Sequence, residues 1–86
     1  MIKIYSIPEC PYCTTLKEKL DELNIDYTDV NVMLDENEEE YDKLYEKTKS
    51  DSVPIIKVSK YLLIPEKSFR TIEEAVTIIK KLIGNN

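Results

Sequence analysis

Cys10 and Cys13, separated by Pro11 and Tyr12, are the residues of this sequence best suited to do chemistry. Two cysteines at this spacing can be incidental buried thiols, part of a zinc site, or a redox pair. A structural zinc site takes about four ligands, mostly Cys or His. The chain has two cysteines and no histidine, so it does not complete such a site alone, and imidazole chemistry is excluded. The redox reading has a mechanism. Cys10 falls at or just before a helix start, where free N–H groups and the helix dipole favour an anion, and the thiolate is the nucleophilic form of cysteine. Cys13 lies one turn on, less exposed and near enough to close a disulfide. Cys10 is therefore expected to attack, and Cys13 to resolve the mixed disulfide. Pro11 stiffens the turn. Tyr12 is expected to be exposed beside Cys10, pointing away from the apolar face of the helix.

The elements around this pair follow from periodicity. Ile2 to Ile7 reads as a strand ended by Pro8. Pro11 suits the first turn of a helix, whose face carries Cys13, Leu16, Leu20 and Leu23 as far as Asn24. Ile25 to Val32 reads as a second strand. A second helix begins near Asp35 and Glu38, with Tyr41, Leu44 and Tyr45 as its apolar stripe. Its acids crowd the start and Lys43, Lys47 and Lys49 the end, which complements the helix dipole. Ser50 to Ser52 break it. Val53 to Val58 and Tyr61 to Ile64 read as a hairpin turning at Ser59 and Lys60. Thr71 and Glu74 form a capping box for a last helix with Ile72, Ala75, Val76, Ile79, Leu82 and Ile83 inward, closed by Gly84. The order is β-α-β-α-β-β-α. A right-handed crossover makes the first two strands parallel, and the hairpin adds antiparallel strands. The expected fold class is α/β, a four-stranded mixed sheet covered by three helices.

With 86 residues the chain suffices for one domain. Seventeen acidic residues against twelve basic ones give a net charge of −5, which disfavours nucleic acid and anionic lipid as partners. The acidic run from Asp35 to Asp42 reads as a solvated helix face, with an acidic docking patch as the alternative. No stretch approaches the ~18 consecutive apolar residues of a membrane span. Met1-Ile2-Lys3-Ile4 looks like a strand rather than a signal peptide, so a cytoplasmic location and a monomer are the default expectations.

The Cys-Pro-Tyr-Cys motif after the first strand resembles that of the dithiol glutaredoxins, and nearly the whole chain, read as one domain over 1–86, fits their minimal thioredoxin-like fold. Ser52-Val53-Pro54 stands just before the third strand, where that family carries Thr-Val-Pro. The resemblance implies a cis Pro54 facing the cysteines. It also implies that Val53 offers its backbone N–H and C=O to glutathione or a substrate backbone in strand-like pairing. Glutathione as co-substrate, no metal, and disulfide-containing partners such as ribonucleotide reductase follow from the same resemblance.

Two departures are informative. The family's Gly-Gly and Asp after the fourth strand shape the site for the γ-glutamyl end of glutathione. Here the segment runs Ile64-Pro65-Glu66-Lys67-Ser68-Phe69-Arg70-Thr71. Lys67, Ser68 and the amides opening the last helix are the candidates to replace that site, while Glu66 would repel a carboxylate. The family's lysine shortly before the first cysteine is also missing, and Lys47 or Lys49 is the candidate substitute. Phe69-Arg70 resembles the Phe-Arg of glutaredoxin-like redoxins that reduce ribonucleotide reductase with electrons from thioredoxin reductase. An iron–sulfur carrier, with Cys10 of two chains and two glutathione thiols on one cluster, and a binding module with passive thiols are the readings from other classes.

Overall fold

The computed structural model describes residues 1–84. In chain order it contains β1 (Ile2–Ser6), α1 (Pro11–Glu22), β2 (Thr28–Asn31), a 3-10 turn at Asp35–Asn37, α2 (Glu38–Thr48), β3 (Ile55–Val58), β4 (Tyr61–Leu63) and α3 (Ile72–Leu82). The strands lie in the order β2-β1-β3-β4. β1 and β2 are parallel, with Tyr5 opposite Val30. β1 and β3 are antiparallel, with Ile4 opposite Ile56, and β3 and β4 close the hairpin. This is the thioredoxin-like α/β fold, with a mixed four-stranded sheet and three helices.

Alternation along the strands sorts the side chains into two cores. Ile2 and Ile4 of β1 and Ile56 and Val58 of β3 face α1 and α3, where Leu16, Leu20, Ala75, Val76 and Ile79 complete the larger core. Tyr5, Val30 and Ile55 face the other way, onto Leu44 of α2. The sheet is thus sandwiched between two helices on one face and one on the other.

Several boundaries differ from the sequence expectation, each for a local reason. Ile25 does not start the second strand. Its N–H bonds the Leu20 carbonyl at 2.9 Å and the Asn24 N–H bonds that of Asp21 at 3.1 Å, with Asn24 at φ 57. That is a Schellman stop to α1, in which Ile25 is buried as the apolar anchor. Leu23 is the C-cap of this motif and is 39% exposed, so it leaves the apolar face assigned to it. β3 begins at Ile55 rather than Val53, because Pro54 has no N–H for the ladder. Tyr45 is exposed, and Thr48, one turn beyond Leu44, takes the buried position on α2. Leu82 and Ile83, expected to point inward, are exposed at the end of α3.

Candidate active site

The turn between β1 and α1 carries the cysteines. Pro8 follows the strand, and Glu9 adopts φ 60, the left-handed region that a non-glycine residue enters at a cost of about 1–2 kcal/mol. Cys10 is the N-cap of α1 in extended conformation, and Pro11 takes the first helical position, where its missing N–H leaves no bond unmade. The Cys13 N–H donates to Cys10 Sγ at 3.2 Å. The two cysteines form a disulfide with their Cα atoms 5.2 Å apart. Cys10 is 8% exposed and Cys13 1%, so Cys10 is the sulfur nearer solvent. The first turn of α1 has no acidic residue. A negative sulfur at Cys10 therefore meets a donated N–H and the positive end of the helix, with no carboxylate of that turn opposing it.

A groove of about 230 Å³ opens at Tyr12, one residue before Cys13 in the chain, although neither cysteine lines it. Tyr12, 67% exposed, forms one wall. Ser52, Val53 and Pro54 form another, with the Val53–Pro54 peptide cis and Pro54 buried. The structure thus gathers Tyr12, from between the two cysteines, with Ser52, Val53 and Pro54 around one cleft. The third wall comes from the segment between β4 and α3, as Pro65, Glu66, Phe69 and Arg70, with Ile72 from the start of α3. Pro65 and Ile72 were not foreseen as groove residues. The signal available was Pro65 itself, two residues past the end of β4, where a residue without an N–H leaves the strand ladder.

Lys67 and Ser68 do not line this groove. Ser68 Oγ accepts the Ile64 N–H at 2.9 Å, and the Ser68 and Lys67 N–H groups both donate to the Ile64 carbonyl. The loop is therefore closed on itself, and Ser68 is spent on closing it. Lys67 Nζ reaches the Thr48 carbonyl at the C-terminal end of α2, 3.5 Å away, where a cation suits the dipole. Three amides around the start of α3, those of Arg70, Thr71 and Glu74, are also engaged. Thr71 Oγ1 accepts from Glu74 N, and Glu74 Oε1 accepts from Arg70 N and Thr71 N. Those two backbone donors hold the Glu74 carboxyl below its usual range. Lys47 lies in a different groove, on the α2 side of the sheet, and Lys49 caps α2 in the left-handed conformation. Among the described residues, no group of three or more metal-ligating side chains converges, and no helix is long and apolar enough to cross a membrane.

A disulfide-forming pair at the N-terminus of α1, a neighbouring Val-cis-Pro and a four-stranded mixed sheet define the class of thioredoxin-like dithiol proteins. Within that class, the glutaredoxin family model matches residues 2–62, and the chain belongs to the glutaredoxin family. A glutaredoxin-like 8.6 kDa protein from the rubredoxin operon of Clostridium pasteurianum is 42% identical over 64 residues, which is 74% of this chain and 83% of that one. Among solved structures, a thioredoxin-like protein superposes with a TM-score of 0.71 at 21% identity, over 95% of this chain and 99% of the other. The glutaredoxin-like NrdH-redoxin of Escherichia coli gives 0.62 at 21% identity, over 71% and 76%. Buckwheat glutaredoxin in its glutathione complex gives 0.69 at 16% identity, over 98% and 70%. The family and the fold support a thiol–disulfide redox role.

Proposed function

We propose that the chain is a dithiol oxidoreductase that reduces disulfides through Cys10 and releases product through Cys13. The observation that carries this reading is Cys10 Sγ seated at the N-terminus of α1, accepting the Cys13 N–H and bonded to Cys13 Sγ. In the reduced enzyme, the Cys10 thiolate attacks one sulfur of a substrate disulfide. That S–S bond breaks, and the leaving thiolate takes a proton from solvent. Cys13, deprotonated, then attacks Cys10 Sγ and expels the second substrate thiolate. The substrate has gained two electrons, and Cys10–Cys13 is the oxidised state found here. A dithiol that must be returned to its reduced form suits a reducing compartment, the cytoplasm.

Glutathione-dependent turnover on protein or glutathione mixed disulfides is the first form of this reading, supported by family membership. A specific observation favours a second. Lys67, Ser68 and three of the amides around the start of α3, the residues expected to receive the carboxylate of glutathione, are engaged in closing the loop and capping helices. Glu66, Phe69 and Arg70 face the groove instead. A redoxin recharged by thioredoxin reductase, with a protein such as ribonucleotide reductase as electron acceptor, fits that wall better. The deciding assay reduces a protein disulfide with either glutathione and glutathione reductase or thioredoxin reductase as electron source. Turnover with thioredoxin reductase alone supports the second form, and turnover with glutathione alone supports the first. Cys10→Ser is expected to abolish both, while Cys13→Ser is expected to accumulate a mixed disulfide on Cys10. Retained dithiol turnover in Cys10→Ser refutes the reading altogether.

A further inference from the structure

The sheet face under α2 carries a second groove, of about 540 Å³, that shares no lining residue with the cleft at Tyr12. Its origin is the unequal cover of the sheet. Leu44 is the only buried apolar residue among the described ones that α2 contributes, with Tyr41 half-buried beside it, so the hairpin end of this face is left open. Lys43 and Lys47, one turn apart on α2, form one side, and Lys57 and Lys60 of the hairpin form the other. Four of the chain's twelve cations thus meet in one depression of a protein whose net charge is −5. Leu44, Leu62 and the Tyr5 ring supply its apolar surface.

The pairing pattern sharpens the point. Lys3 and Lys57 sit directly opposite each other across β1 and β3, an unfavourable like-charge pair. Glu40 answers it: its Oε2 accepts from Tyr5 Oη at 2.7 Å and from Lys3 Nζ at 3.0 Å. Those two donors, with a smaller effect of Lys57, hold the Glu40 carboxyl below its usual range. Lys43 reaches only Glu39, at 3.4 Å, in a pair both of whose side chains are largely exposed. Lys47, Lys57 and Lys60 form no salt bridge among the described residues. One carboxylate against four ammonium groups leaves the groove positive by three formal charges (4 − 1).

We propose that this groove binds a small organic polyanion carrying two or more phosphate groups. Its volume falls in the range of small-molecule sites, roughly 300–1,000 Å³. Its cations are all lysines, compact point charges that bind phosphate, and a phosphate group carries up to about two negative charges where a carboxylate carries one, so two phosphates answer the positive excess in the smallest volume. The apolar floor offers contact to the organic portion. Because no residue is shared with the cleft at Tyr12, this assignment and the redox reading stand or fall separately.

The test is titration of the full chain with inorganic pyrophosphate and with ADP, at constant ionic strength, following backbone amide shifts. Amides of Lys47, Lys57, Ser59 and Lys60 are expected to move saturably with both probes, ADP adding shifts at Leu44 and Leu62. Lys47→Gln with Lys60→Gln, both at exposed positions, is expected to weaken binding at least about tenfold. Lys81→Gln, in the last turn of α3, is expected to leave it unchanged. The proposal is overturned if neither probe shifts these amides at millimolar concentration, if the shifts map elsewhere, if the double variant binds as wild type, or if an acidic decapeptide binds there and pyrophosphate does not.

Discussion

Cys10 and Cys13 are distinguished by position alone: one caps α1 and keeps some exposure, the other is inside the helix and almost fully enclosed. This difference was legible in the sequence because it depends on three consecutive local facts, a strand, a proline at the first helical position and a spacing of one turn. The roles sought for Lys67 and Ser68 were not legible, because they depend on how a loop closes: Ser68 bonds the backbone of Ile64, and Lys67 bonds that of Thr48. The Tyr5–Glu40 contact was invisible for the same reason, joining residues 35 positions apart. It yields a prediction. The Tyr5 hydroxyl is the leading cause holding the Glu40 carboxyl below its ordinary value of 4.5, ahead of Lys3. A carboxylate with a depressed folded pKa contributes stability that is present above the unfolded value and lost as pH falls through the folded one. Tyr5→Phe should therefore move the Glu40 titration upward toward 4.5, read from its side-chain carboxyl carbon by NMR. It should also shrink the difference in urea midpoint between neutral and acid solution. An unchanged Glu40 titration would show that the hydroxyl does not set it.

At the scale of elements, ends were harder to read than existence. All four strands and three helices follow from hydrophobic period and breakers, and the capping box of Thr71 and Glu74 is present as expected. The start of β2 was misplaced because an apolar residue after a helix has two uses. Ile25 is β-branched and precedes Tyr27, which reads as strand, yet Asn24 in the left-handed conformation makes it the anchor of a helix stop. The α3 start makes the sharpest test of element energetics. Thr71→Ala removes the acceptor for Glu74 N and is expected to destabilise the domain by about 1 kcal/mol. For a domain of this size that lowers Tm by roughly 4–8 °C. Thr71→Ser, which keeps the hydroxyl, should retain most of the stability. Equal melting of the Ala variant and wild type would mean that packing of Ile72, Ala75, Val76 and Ile79 alone fixes the helix start.

For the whole molecule, the two faces of the sheet are held unequally. Among the described residues, thirteen buried ones form the core under α1 and α3, and four form the core under α2. A small domain has little spare stability, on the order of 5–15 kcal/mol in total, so this asymmetry shapes how it opens. Leu16, fully buried between α1, the sheet and α3, belongs to the global core, and Leu16→Ala is expected to cost about 2–5 kcal/mol. Leu44 is the one buried apolar side chain among the described residues that fastens α2. Loss of α2 exposes a small apolar area while β1, β3, α1 and α3 keep their contacts, so α2 should open as a separate, low-energy unit. Native-state hydrogen exchange would then show α2 amides exchanging at lower opening free energy than those of α1, β1 and β3. Leu44→Ala should speed exchange in α2 far more than in α1 or α3, whereas Leu16→Ala should speed all of them together. If α2 instead exchanged only by global unfolding in both variants, the smaller core would be as cooperative as the larger. The lysine groove above it would then have rigid walls on both sides.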